Sequence, residues 1–260
     1  MASRLLALEG ISNFRVYGDY PARNGARFVA ARLYRSGHHV KATRGDIDVV
    51  VGLSLATVID LRGASERALY PCKRPAGFSA QVLFADGETT QTGQALHDEA
   101  AAAVVTARDA HANMLRLYGQ MPFQPNMIAA MRLYFKALAE RDGTSLLHCL
   151  AGKDRTGFVV ALVHKLLGVH YDDIVDDYLL TNAVTDIDAR MAHRAPFLRA
   201  RFGQAIQDDA IRTLMSVHPD YLEHSFAAIA AQHGSAARYA AVALGVTPSQ
   251  MAQIESRLLV

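Results

Sequence analysis

The stretch SLLHCLAGKDRTGFVVALV, running from Ser145 to Val163, constrains the fold more than any other part of the chain. It opens with a short apolar run that does not alternate with polar residues, which predicts a strand buried on both faces. The strand ends at His148 and Cys149, a short loop containing Gly152 follows, and a helical pattern begins near Arg155 and runs to Gly168. A buried strand feeding through a tight loop into an apolar helix belongs to a layered α/β domain. A chain of 260 residues is long enough to bury a large core around that unit.

The rest of the chain fits the same class. RFVAARLYRSG and ATVIDLRG are β-rich, and each closes on polar residues and glycine, which predicts two strands. TRGDIDVVVGL between them reads as a short helix capped by Thr43. AQVLFAD and TSLLHC read as two further strands, both buried, in a mixed or parallel sheet. From about Asn126 onward helical spacing dominates, through NMIAAMRLYFKALAERDG with its stop at Gly143, YDDIVDDYLLTN, HPDYLEHSFAAIAAQHG and SAARYAAVALG. In the final helix, TPSQMAQIESRLL, Thr247 is the cap and Pro248 takes the first helical position. No linker, charge block or repeat divides the sequence. The expectation is one α/β domain over 1–260, with a central mixed or parallel sheet flanked by helices and a helical C-terminal half.

Composition removes several function classes. With 27 basic against 25 acidic residues the net charge is +2, which implies no broad nucleic-acid or membrane footprint. Any preference for anions therefore comes from a local site. Two cysteines, Cys72 and Cys149, make no disulfide framework, and a reducing compartment follows as the default. No run approaches the ~18 apolar residues of a membrane span. The first residues show no apolar signal core or cleavage pattern, so a cytoplasmic location is expected, with secretion by a route lacking a cleaved signal left open.

The chemistry concentrates at Cys149. A strand, a tight turn and a helix start place successive backbone N–H groups of Leu150, Ala151, Gly152, Lys153 and Asp154 around one point, and such a nest at a helix N-terminus binds anions. Arg155 adds a planar fork of donors able to grip two phosphate oxygens. Those N–H groups and the helix dipole also favour the Cys149 thiolate, to which the Thr156 hydroxyl is expected to donate. Nucleophile and oxyanion clamp in one loop suit in-line attack on a phosphomonoester. Two plainer readings compete. A lone Cys in an apolar strand is usually a small buried hydrophobe. A nucleotide-binding Walker loop needs Ser or Thr after its Lys and a glycine five residues before it, and Asp154 follows Lys153 here.

HCLAGKDRTG, from His148 to Gly157, resembles the phosphate loop of the protein tyrosine phosphatase superfamily. The likeness is to its bacterial tyrosine/phosphoinositide phosphatase branch, with each fixed position of His-Cys-x-Ala-Gly-Lys-Asp-Arg-Thr-Gly matched. It extends over nearly the whole chain, through NFR near the N-terminus, LYRSG, VIDLR with Glu66 following, DDYLLTN, PDYLEHSFAAIAAQHGS and LGVT. It departs in NFRVYGDY, where Val16 and Asp19 stand in place of Asp and Gly.

The resemblance implies a phosphotyrosine-phosphatase-like fold and a two-step reaction with no metal and no cofactor. Cys149 would form a phosphocysteine that water then hydrolyses, with Arg155 holding the equatorial oxygens. Asp154 is the favoured general acid in this branch and Asp60 its rival, though Asp60 equally reads as a partner for Arg62 or Arg35. His148 is expected to fix the Cys149 backbone through a main-chain hydrogen bond. Lys153 either adds charge at the mouth for a phosphoinositide or neutralises Asp154. The expected partner is a phosphorylated protein or a phosphoinositide, with no nucleic acid and no stable membrane insertion. Adjacent His38 and His39 make a metal pair only superficially, because neighbouring side chains diverge and no third ligand has matching spacing. The alanine-rich segment from Gly87 to Met121 reads as a core helix, while the resemblance implies a helical lid. Two other function classes stay open: a silent phosphate-binding module, and another Cys-loop chemistry such as arsenate reduction, for which only Cys72 is available as a resolving thiol.

Overall fold

The computed structural model describes residues 4–89 and 96–260. Its centre is a sheet in the order β1-β2-β5-β3-β4, formed by β1 (Arg15–Val16), β2 (Leu33–Ser36), β3 (Leu55–Asp60), β4 (Gln81–Phe84) and β5 (Thr144–His148). β1 runs antiparallel to β2, and the other pairings are parallel, so the sheet is mixed. The first helices are α1 (Arg44–Gly52), α2 (Ala64–Leu69), α3 (Leu96–Ala101), α4 (Ala107–Gln120) and α5 (Pro125–Glu140). After β5 come α6 (Asp154–Leu166), α7 (Tyr171–Val184), α8 (Ile187–Phe202), α9 (Asp208–Met215), α10 (Pro219–His233), α11 (Ala236–Val242) and α12 (Pro248–Leu258).

β5 is the central strand, and its side chains explain why its sequence does not alternate. Leu146 enters a cluster on one face with Ile11, Phe14, Tyr34, Val50 and Val58, while Leu147 enters the larger core on the other face with Ile59 and Phe158. A strand covered on both faces has no polar side. α6 is buried all round, with Phe158 through Val163 each no more than 1% exposed, so its apolar run has no solvent stripe either. Thr43 and Asp46 form a capping box on α1, and Thr247 and Gln250 form one on α12, as their spacing predicts.

Two expectations need correction. RFVAARLYRSG is strand only over Leu33–Ser36; Ala31 turns the chain at φ 52°, and Phe28 bridges Leu259 instead. β4 is not a buried strand. It pairs only with β3 at the sheet edge, Phe84 is 45% exposed, and the Arg67 guanidinium covers its ring at 4.3 Å. An apolar run alone does not distinguish an edge strand shielded by a cation from a central one. The Gly87–Met121 segment supplies α3 and α4, and its residues 90–95 lie outside those described. α4 buries Ala110, Met114, Leu117 and Tyr118 in the main core. Among the described residues no helix is long and apolar enough to cross a membrane.

Because β2, β3, β4 and β5 run parallel, their carboxyl ends lie along one edge. Loops leaving that edge are where open α/β sheets hold ligands. The loop from Cys149 to Lys153 leaves the central strand there.

Candidate active site

The loop is shaped by what pulls on its carbonyls. Leu150 O accepts from His38 N at 3.0 Å, and Gly152 O accepts from Asn13 Nδ2 at 2.7 Å and from Arg35 Nη2 at 3.0 Å. With these oxygens tied back toward β2 and the N-terminal segment, the peptide N–H groups between them turn the other way. Gly152 has φ +68°, and a Cβ there would lie 2.4 Å from Ser36 C and 2.5 Å from Gly37 N. The position therefore needs glycine twice over, for its backbone angle and for its contact with β2. α6 starts at Asp154 with no side-chain cap, so its first-turn N–H groups are available to an anion.

Behind the loop lies a buried charge network. Arg35 Nη1 donates to Asp177 Oδ2 at 2.7 Å, and Arg15 Nε lies 3.5 Å from Asp177 Oδ1. Arg15 also donates to Asn13 Oδ1 and, at 2.8 Å, to Asp177 O. Burial raises the Asp177 carboxyl, but the charges of Arg15 and Arg35 outweigh it and hold the group at about 2. The two arginines thus depend on one carboxylate, and one of them positions Gly152.

Arg155 is aimed by α2. Glu66 takes Arg155 Nη2 at 2.8 Å on Oε1 and Nη1 on Oε2, while Leu61 O and Thr89 Oγ1 receive Nη1 at 3.3 and 3.1 Å. Burial works against the Arg155 cation, but Glu66 outweighs it and keeps the group charged. Arg155 Nε is buried and has no partner among the described residues.

The two candidate acids stand in different settings. Asp60 is paired at both oxygens by Arg62, with Nε to Oδ1 at 2.8 Å and Nη2 to Oδ2 at 2.6 Å, and His148 Nε2 lies 3.7 Å from Oδ2. Burial raises the Asp60 carboxyl, and His148 and Arg62 together lower it by more, to about 2. Burial also pushes His148 below its usual range, so Arg62 is the cation that keeps Asp60 ionised. Asp154 lies in the first turn of α6, where its Oδ1 accepts from Tyr118 OH at 2.9 Å and from Lys153 Nζ at 2.9 Å. Burial lifts the Tyr118 phenol well above its ordinary value, so it stays a proton donor. Its hydroxyl also lies 2.6 Å from that of Tyr178.

A family model described as the tyrosine phosphatase family matches residues 6–260. The chain belongs to that family. It is 32% identical over 249 residues to a Cupriavidus necator protein whose name assigns it provisionally as a tyrosine-protein phosphatase, covering 95% of this chain and 86% of that one. It is 30% identical over 218 residues to the triple specificity protein phosphatase of Mycobacterium tuberculosis, covering 77% of this chain and 74% of the relative. A tyrosine-protein phosphatase of Nostoc commune is 28% identical over 249 residues, covering 92% of this chain and 78% of the relative.

Within this tyrosine phosphatase family member the expected residues converge. Cys149, Leu150, Ala151, Gly152, Lys153, Asp154 and Arg155 form one loop at the sheet edge, and His148 Nδ1 lies 3.3 Å from Cys149 O. Asp60 reaches the same edge but faces Arg62, and Arg35 serves Asp177 rather than Asp60. One expectation, for Thr156, is not met, and of the two readings of Lys153 the structure shows the one in which it neutralises Asp154. Thr156 Oγ1 is buried without a hydrogen-bond partner among the described residues, so it makes no bond to Cys149. Lys153 is not at the mouth. It is 4% exposed, with Nζ on Asp154 Oδ1 and on Ser216 O at 3.0 Å, because the turn into α6 directs the side chain inward.

Asn13, Arg15, Asp177, Glu66 and Tyr118 also shape the site, with no local sequence pattern that marks their roles. Four of them lie in the segments that carry the family resemblance: NFR, DDYLLTN and Glu66, four positions after VIDLR. That clustering was the available signal. Tyr118 left none.

Proposed function

We propose that this family member is a cysteine-dependent phosphomonoester hydrolase acting on phosphotyrosine in proteins, with phosphoserine and phosphothreonine as further substrates. The observation that carries the reading is the unpartnered, buried Arg155 Nε beside an uncapped helix start and a loop whose carbonyls are drawn away. These donors belong to the loop and helix start that directly follow Cys149, and donors fixed in a water-poor site stabilise developing charge more strongly than in water.

In the first step Cys149 Sγ attacks phosphorus, a P–S bond forms, and the bond to the ester oxygen breaks. The leaving oxygen takes its proton from Asp154. In the second step water attacks the phosphocysteine, the P–S bond breaks, and Asp154 takes the water proton. Arg155 and the N–H groups of Leu150 through Asp154 hold the three equatorial oxygens through both steps. Asp154 is favoured over Asp60 because Asp60 is clamped as an anion by Arg62, and an acid must first hold a proton. The wider specificity draws support from the name of the mycobacterial relative. Activity on phosphoinositides rests on the resemblance of the loop, since Lys153 directs its charge to Asp154.

The test is turnover of p-nitrophenyl phosphate and of matched phosphotyrosine, phosphoserine, phosphothreonine and phosphoinositide substrates, with a chelator present. The wild type should hydrolyse the aryl phosphate and phosphotyrosine, and Cys149→Ser should bind phosphate without turnover. An active Cys149→Ser protein would exclude the phosphocysteine route. Phosphate binding by a wild type that turns over nothing would establish a binding module instead.

A further inference from the structure

Arg35, Arg155 and Lys153 lie at the Cys149 loop, and each has a carboxylate partner: Asp177, Glu66 and Asp154. A further cation facing the loop's charges is Arg190, in the first turns of α8. No carboxylate among the described residues pairs with it, and its Nη1 is closed off from solvent without a hydrogen-bond partner. Burial pushes Arg190 below its ordinary value, Asp154 and Cys149 draw it back up, and its own charge in turn bears on Lys153. Arg194, one turn along the same helix, repels it.

The surrounding chain holds α8 in this place. Asn182, in the last turn of α7, exchanges hydrogen bonds with Val217, Nδ2 to O and N to Oδ1, both at 2.8 Å. Asp188 on α8 pairs with Arg212 on α9, and Arg199 pairs with Asp208 at 2.7 Å. Ser216, just past α9, accepts from Lys153 in the loop itself. The α8–α9 hairpin is thus pinned to the phosphate loop at its base, and Arg190 lies on the pinned end. A buried guanidinium nitrogen with no acceptor is costly, and folded proteins rarely retain one without a use.

We infer that Arg190 is a second phosphate-binding arginine of this site, its Nη1 donating to an oxygen of the phosphoryl group seated on the loop from Cys149 to Arg155. The inference rests on the hydrolase reading only for the place of the phosphoryl group, since inorganic phosphate bound there meets the same donors. Arg190 then completes the charge balance of the site, with the phosphoryl group as the anion that faces its Nη1.

Thermal titration with inorganic phosphate tests this on the full chain, using wild type, Arg190→Met and Arg190→Lys. Without phosphate, Arg190→Met should melt at or above the wild-type temperature, because a half-buried charge with no carboxylate partner among the described residues has been removed. Its phosphate Kd should rise about tenfold, the loss of one charge-assisted hydrogen bond, with Arg190→Lys intermediate. The inhibition constant of phosphate against p-nitrophenyl phosphate should rise in parallel. A Kd within twofold of wild type in Arg190→Met overturns the inference. A lower melting point or failure to fold in that variant, with the Arg190→Lys Kd unchanged, overturns it in favour of a structural role. A wild type that binds phosphate without hydrolysing ester, with binding weakened in Arg190→Met, removes the hydrolase reading and leaves this one standing.

Discussion

Glu66 on α2 receives both terminal nitrogens of Arg155, Nη2 at 2.8 Å and Nη1 on the other oxygen, and so leaves only the Nε edge of the guanidinium without a partner. A carboxylate that occupies one side of the fork fixes the plane of the other.

Glu66→Gln preserves shape and removes the charge. It leaves a buried arginine without its counter-ion, which typically costs about 3 to 5 kcal/mol. The melting temperature should fall, and kcat on p-nitrophenyl phosphate should fall at least tenfold, since the amide nitrogen cannot accept from Arg155 where a carboxylate oxygen did. A kcat within twofold of wild type in a folded variant would show that Arg155 is aimed without Glu66.

Asp154 and Asp60 separate by leaving group. Asp154→Asn should slow alkyl phosphates by roughly 10²- to 10⁴-fold while slowing p-nitrophenyl phosphate far less, because a good leaving group needs little protonation. Asp60→Asn should lower stability by releasing Arg62, which binds it at 2.8 and 2.6 Å, and should slow both substrates alike. A plot of log kcat/KM against leaving-group pKa for the three proteins decides. A steeper slope in Asp60→Asn than in Asp154→Asn would transfer the role.

The loop was legible because its requirements are local. A nest of N–H groups, a glycine with a positive angle and an arginine six positions after the cysteine all lie within HCLAGKDRTG. What aims the loop was not legible, because it comes from distant parts of the chain. Asn13, Arg35 and Asp177 meet behind Gly152 although 164 positions separate Asn13 from Asp177. Periodicity places Arg35 on a strand and Asp177 on a helix and says nothing of their meeting with Asn13, which lies in a turn. Lys153 shows the reverse limit: its position in the motif was plain, but the inward turn to Asp154 and Ser216 depends on where α9 ends. Edge and centre were confused at β4 for the same reason, since pairing partners are a property of the sheet.

Asp177→Asn tests that distant support. It leaves Arg15 and Arg35, both buried, without their shared carboxylate, and it frees Arg35 from its hold on Gly152 O. Stability should fall by about 3 to 5 kcal/mol. The inorganic phosphate Kd should weaken although Asp177 does not line the loop. Unchanged phosphate binding in a destabilised Asp177→Asn protein would mean that the loop holds its shape unaided.

Acid should unfold the protein in two stages, the first set by histidines. His164 on α6 is enclosed by the rings of Tyr17, Tyr20 and Phe28 at 5.7, 5.0 and 5.5 Å, and its Nε2 lies 2.7 Å from Tyr17 O. Burial lowers it from 6.5 to about 4. The unfolded chain therefore takes up a proton below pH 6.5 that the folded chain refuses until about pH 4. Stability from this group is full above pH 6.5 and is lost as the pH falls to about 4, by roughly 3 kcal/mol in all. His38 and His39, lowered by burial to about 4 and about 3, add to the same descent. The carboxylates act later: Asp177 and Asp60, held at about 2 against an ordinary 3.8, support the fold above pH 3.8 and stop doing so as the pH falls toward 2. His164→Phe fits the aromatic cage and does not titrate. It should lose about 1 kcal/mol at pH 7.5 with the hydrogen bond to Tyr17 O, and then lose less than wild type on acidification. Urea unfolding at intervals from pH 7.5 to 4.5 measures both slopes. Parallel slopes would mean that His164 is as easily protonated in the folded protein as in the unfolded chain, and the first stage would then belong to His38, His39 and His148.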